Sequence, residues 1–184
     1  MRPPPADVGT PVPATEGSRQ IEDTVTGSDL AWTLLRPGRF MSNALQWAPQ
    51  IRAGNDVQIP FAARPAASID PADIAAVAAA ALTSERHYHR AYQLSGPETR
   101  TPLEELAVLA ELLRQPLRAI EPPLNAVRAG MARGGVPDTV IDAIIARTCD
   151  TDEGTEVPAV TDILGRPPGT FAHWAANHLH HFTH

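Results

Sequence analysis

Ala31–Asn43 reads AWTLLRPGRFMSN. Trp32 to Arg36 has strand character, Pro37 and Gly38 stop it, and polar residues follow where the chain turns. The apolar content is continuous rather than alternating, which is the pattern of a strand covered on both faces. In open α/β sheets, ligands bind outside the carboxyl ends of the strands. Arg36 could reach an anionic group there, and Gly38 lets backbone approach a flat ligand closely. The plainer alternative is a turn with Arg36 on the surface.

Upstream, residues 1–16 are rich in Pro, Gly and Thr and are expected to form an unstructured lead-in. SRQIEDTVTGSDL reads as a short helix with Ile21 and Val25 at i and i+4 and a stop near Gly27. Downstream, FMSNALQWAPQIRAG starts helical and is expected to break at Pro49 and Gly54. DVQIPF and AASID read as short extended pieces. DPADIAAVAAAALTSE is the clearest helix: Asp70 suits the N-cap, Pro71 the first position, and Asp73 the third, much as in a capping box. Its alanine-rich face would let another backbone come close.

RAYQLSGPE reads as a strand ending at Gly96-Pro97. A capped amphipathic helix follows, with Thr101 as cap, Pro102 next and Glu104 at the third position. Leu106, Leu109, Leu112 and Leu113 supply its apolar stripe. LRAIEP is one more short strand, and the remainder reads as helical. Strand and helix in alternation, with a helical tail, define an α/β chain with a small C-terminal lobe. At most three strands are plausible for the main sheet, few for a parallel α/β fold.

Composition narrows the function. The 184 residues carry a net charge of −6, all fifteen basic residues are arginine, and no basic cluster stands out. Nucleic-acid affinity depends mainly on phosphate neutralisation, so no nucleic acid is expected as a partner. The absence of lysine removes Schiff-base chemistry, lysine clamps and any Tyr-x-x-x-Lys pair. Cys149 is the single cysteine, which favours a reducing compartment, and its acidic neighbours disfavour a thiolate. No apolar run reaches the roughly 18 residues of a membrane span, and MRPPPADVGTPVP lacks a signal-peptide centre. The cytoplasm is the expected location.

Other clusters have ordinary readings. His178, His180, His181 and His184 include an i, i+4 pair, but a zinc site wants more ligands, so a solvated histidine-rich end is expected and no metal site. RHYHR, with His87 and His89, reads as a loop. Glu104 and Glu105 suit the opening turn of a helix, and Asp150, Asp152 and Glu153 a polar loop. There is no Walker-type phosphate loop, no strand–GxGxxG–helix unit and no G-x-S-x-G elbow.

Four blocks occur in order: SDLAWTLLRPGRFMSNAL, IDPADIAAVAAAAL, AYQLSGPETRTPLEELAVLAELLRQPLRAIEPP and GRPPGTFAHWAANH. Together, over roughly residues 17–182, the chain resembles the C-terminal portion of an NmrA-like protein. These belong to the atypical short-chain dehydrogenase/reductase group. The resemblance implies a partial Rossmann-like parallel sheet, late strands only, with a mostly helical C-terminal lobe. Residues 17–100 would be the C-terminal part of an NAD(P)-binding domain and 101–184 a helical substrate lobe.

The resemblance also implies NAD(P) as cofactor and hydride transfer to a small organic substrate in the complete form. Arg36, Pro37 and Gly38 would border the cofactor, and Phe40 and Asn43 the substrate; no catalytic residue is assigned. Trp32 and Trp47 would lie near that cleft. The family's glycine-rich turn, which sets the pyrophosphate on a helix N-terminus, has no counterpart here. A truncated chain is therefore expected, not competent as an enzyme by itself. Other readings are a non-catalytic dinucleotide-sensing or regulatory module, or an inactive remnant with a mis-called start. A cut sheet would expose an edge, so homo-oligomerisation or association through it is expected.

Overall fold

A computed structural model describes residues 6–8, 16–149 and 159–183. The chain divides into two compact units that alternate along the sequence. The first comprises residues 1–41, 67–98 and 155–170, and the second 42–66, 99–154 and 171–184.

The first unit is built on a parallel sheet of β1 (Ala6–Val8), β4 (Arg90–Leu94) and β2 (Thr33–Pro37), with β4 in the centre. Thr33 pairs with Arg90 and Pro37 with Leu94, so β2 and β4 start and stop together. Parallel neighbours need a long crossover, and α3 (Pro71–Thr83) is the longest helix in that connection. The N-terminal lead-in thus supplies a strand, Ala6–Val8, where the sequence offers no periodic signal; β1 is only three residues long.

β2 departs from its expected environment. All five of its residues are half-buried rather than covered on both faces. The cause is position: among the described residues, β4 flanks one side of β2 and no strand flanks the other. Leu35 still packs on the core of Ile69, Val77, Leu94, Ala159, Val160 and Ile163, which draws on β4, α3 and α7 (Ala159–Leu164). α1 (Glu16–Thr26) is the expected short helix, but Ile21 on it is 67% exposed.

The second unit holds α2 (Ala48–Ala53), β3 (Asp56–Gln58), α4 (Pro102–Leu113), β5 (Arg118–Ile120), α5 (Leu124–Arg133), α6 (Asp138–Cys149) and α8 (Phe171–Asn177). β3 and β5 form their own parallel pair. Pro49 does not break a helix. Residues Met41–Trp47 form a 3₁₀ segment, and Pro49 falls in the first turn of α2, where a missing N–H costs nothing. Gly54 ends α2 as expected. Trp47, Ile51, Val57, Ile59, Leu106, Leu109, Phe171 and Trp174 are buried. Among the described residues no helix is long and apolar enough to cross a membrane. Asp150, Asp152, Glu153 and His184 lie outside the described residues.

Candidate functional site

The ends of β2 and β4 do not open into a simple crevice. One residue past β2, the Gly38 N–H donates to the Leu94 carbonyl at 3.0 Å. The Ile69 N–H donates to the Arg39 carbonyl at 2.8 Å, and the Met41 N–H donates to the Ile69 carbonyl at 2.9 Å. The Gly96 N–H donates to the Ala67 carbonyl at 3.1 Å. Three short segments, 39–41, 67–69 and 94–96, thus extend the sheet into a hydrogen-bonded shelf. Ser68 and Ser95 are buried within it, and the buried Gln93 Oε1 accepts from no donor among the described residues.

The two glycines of this shelf differ. A Cβ on Gly96 would fall 1.9 Å from the Ser68 carbonyl oxygen, so the fold itself demands glycine there. A Cβ on Gly38 would stand 3.8 Å from the Leu94 carbonyl oxygen, an ordinary contact. Gly38 also has no left-handed φ. Packing does not require glycine at 38, and its bare backbone faces room that a flat ligand could use.

The expected site residues are placed as follows. Pro37 ends β2 and Gly38 follows it. Phe40 bridges to Ile69 in parallel fashion and is 38% exposed. Arg36 does not stand open to solvent at the strand end. Its Nε and Nη2 donate to the two carboxylate oxygens of Glu22 on α1 at 3.1 and 2.8 Å, a bidentate pair. Asn43 is exposed and belongs to the second unit. Trp32 precedes β2, and five strand residues at about 3.3 Å each separate it from the strand end. Its ring meets His89 edge-on at 5.4 Å, so it lies at the wrong end of β2 to sense the shelf.

Several interactions join residues far apart in sequence. Asp73, 3% exposed, accepts the Gly169 N–H at 2.7 Å and pairs with Arg166 Nη2 at 2.8 Å. It tethers the loop after α7 to the first turn of α3 rather than completing a capping box. His87 lies in a 3₁₀ turn, Glu85–His87, and is buried, not part of an open loop. Burial holds its pKa below the ordinary value, and neighbouring Arg86 adds to the effect. Glu104 sits below the ordinary carboxylate range because it accepts the Thr101 N–H and hydroxyl.

Nothing among the described residues cradles a pyrophosphate. At the start of α3 the Asp70 carboxylate already accepts the Ala72 N–H at 2.8 Å. The start of α4 is closed by the full Thr101/Glu104 capping box. Both helix ends carry acids, which repel phosphate. The starts of α3 and α4 therefore do not fit a pyrophosphate. At the C-terminus, the His178 ring stacks on Trp174 at 4.6 Å, and the His180 and His181 centroids are 4.0 Å apart. Among the described residues no group of three or more metal-ligating side chains is placed to hold an ion.

The α/β element order and short parallel sheets match the C-terminal portion of a Rossmann-like NAD(P)-binding fold. The chain is 39% identical over 171 residues to a (4-alkanoyl-5-oxo-2,5-dihydrofuran-3-yl)methyl phosphate reductase of Streptomyces griseus; the match spans 91% of this chain and 60% of that one. It is 33% identical to an NAD(P)H azoreductase of Xenophilus azovorans, over 89% of this chain and 57% of that protein. The fold matches an NADPH-dependent quinone oxidoreductase of Escherichia coli with TM-score 0.70 and 22% identity, covering 90% of this chain and 61% of that one. It also matches a Citrobacter triphenylmethane reductase complexed with NADP(H), TM-score 0.66 and 15% identity, over 86% and 58% of the two chains. No family model matches the sequence. The chain resembles the C-terminal portion of NmrA-like proteins of the atypical short-chain dehydrogenase/reductase group, and spans about 60% of the curated relatives' length.

Proposed function

We propose that the chain supplies the late strands and substrate-side lobe of an NAD(P)-dependent reductase, and acts in a polypeptide or assembly of the relatives' full extent. The observation that carries this reading is the shelf beyond β2 and β4, where Gly38 leaves room that packing does not require. Pro37 and Gly38 would meet the nicotinamide ring, with Phe40 toward the substrate. Arg36 would act indirectly, holding α1 against the end of β2 through Glu22. By analogy with the relatives' printed activities, the substrate is a small organic hydride acceptor with an electron-poor conjugated group. The chain would work in the cytoplasm, where the lone Cys149 stays reduced. The side of β2 away from β4 is the edge through which it would associate with the remaining strands or with a second copy.

The second reading is a dinucleotide-sensing module or an inactive remnant; the acid-capped starts of α3 and α4, which repel phosphate, favour the remnant. One experiment separates them. NADPH and NADH are titrated calorimetrically into the chain alone and into the chain mixed with the part of the Streptomyces griseus relative that it does not span, and cofactor oxidation is then followed with an electron-poor quinone added as hydride acceptor. Binding and cofactor oxidation only in the mixture support the reductase reading. Binding to the chain alone without turnover supports the sensing module. No binding in either sample counts against the reductase and the sensing module and supports the inactive remnant.

A further inference from the structure

Toward the start of β4, Arg86, His87, Tyr92, Ala159, Asp162 and Ile163 line a cavity of about 270 Å³. A single donor-only group fixes the direction of its hydrogen bonds. Guanidinium has no acceptor, so the Arg86 Nε–H must donate to His87 Nε2, 2.9 Å away. The neutral ring then carries its proton on Nδ1, which donates to the Tyr92 hydroxyl oxygen at 2.8 Å. The Tyr92 O–H proton is left without an acceptor among the described residues. The same guanidinium reaches the Ile163 carbonyl through Nη2 at 3.3 Å, which holds Arg86 against α7.

Three features limit what could enter. The exposed Arg86 and the Tyr92 O–H offer donors and positive charge. The exposed Asp162 carboxylate, also in the lining, offers negative charge. Ala159 and Ile163 supply an apolar wall. A simple anion would be repelled by Asp162 and a simple cation by Arg86. The volume lies below the range of about 300–1,000 Å³ usual for larger ligands, so the occupant is small.

The geometry points to a binding site for a small zwitterion of amino-acid size. Its carboxylate takes the Tyr92 O–H and the edge of Arg86, its ammonium takes Asp162, and its aliphatic part rests on Ala159 and Ile163. None of the shelf residues takes part, so the site stands or falls independently of the dinucleotide reading. Occupancy would bridge β4, the 85–87 turn and α7, and would therefore stabilise the first unit.

The test is calorimetric titration of the full chain with L-valine, isobutyrate and isobutylamine, which present both charges, the carboxylate alone and the ammonium alone. The expected result is saturable binding of L-valine, none of the single-charge probes, and a rise in Tm with L-valine. Tyr92→Phe should weaken binding about tenfold or more, and Asp162→Asn should do the same, each with an unchanged far-UV spectrum and a cooperative melt. Three results would overturn the assignment: no binding of L-valine up to about 20 mM; isobutyrate binding as well as L-valine; or both variants keeping wild-type affinity.

Discussion

The carboxylate of Asp73 accepts the N–H of Gly169 at 2.7 Å, across 96 residues of sequence. The contact joins the first turn of α3 to the loop that follows α7. Its second oxygen holds Arg166, whose side chain is half-exposed, while Asp73 itself is buried. Burial makes the two halves of the interaction unequal. A part-buried hydrogen bond to a charged acceptor is costly to break, whereas an ion pair with one partner in solvent is screened.

Asp73→Ala should therefore destabilise the chain by about 2–3 kcal/mol, since it orphans the Gly169 N–H. Arg166→Ala should cost less than about 1 kcal/mol. Urea denaturation of both variants checks the order, and equal losses would mean that the ion pair, not the backbone contact, holds the loop.

The shelf makes a second contrast. Gly96→Ala puts a methyl carbon where the Ser68 carbonyl oxygen lies 1.9 Å away, so segments 67–69 and 94–96 must separate. A loss of about 2–3 kcal/mol is expected from such overpacking. Gly38→Ala meets only an ordinary contact and should change stability by less than about 0.5 kcal/mol. If Gly38 faces a nicotinamide ring, the same alanine should weaken NADPH binding in the complemented assembly. Unchanged affinity there would remove Gly38 from the site.

Thr101→Ala should cost about 1 kcal/mol, the usual worth of an N-cap. Thr101 accepts the Glu104 N–H at 3.2 Å, and Glu104 accepts the Thr101 N–H at 2.7 Å. Thermal denaturation checks the magnitude, and Thr101→Ser should restore most of the loss because it keeps the accepting hydroxyl.

That capping box was legible in the sequence because both partners lie within four residues of each other. The same holds for Asp70 at the head of α3 and for the strand stop at Pro37-Gly38. Asp73 looked like another local cap, yet its partners are Arg166 and Gly169, and no spacing rule connects them. Gly96 was visible only as a strand end, because the crowding that requires it comes from Ser68, which belongs to another segment. Arg36 was correctly placed at the end of a strand. Its engagement by Glu22 depends on where α1 settles, which the local pattern does not specify. His87 sat in a polar run, and its burial follows from the packing of the 85–87 turn beside α3, which no local signal announces.

His87 gives the pH prediction. Its folded pKa is lowered from the ordinary 6.5, first by burial and then by Arg86. Above that ordinary value the ring is neutral in both folded and unfolded chains, and its contribution to stability is fully present. As pH falls below 6.5, the unfolded chain takes up a proton that the folded chain refuses. Stability then declines, by at most about 1.4 kcal/mol per pH unit, until the pH drops below the lowered folded value. His181 is lowered too, by desolvation and then by His180, His178 and Arg52, and it acts with the same sign. The difference between wild type and His87→Gln therefore isolates the buried ring. Measured by urea denaturation between about pH 8 and about pH 5, the wild type should lose more stability on acidification than His87→Gln does. Parallel curves for the two proteins would show that His87 is not held neutral in the fold, and would also remove the fixed donor direction assigned to Tyr92.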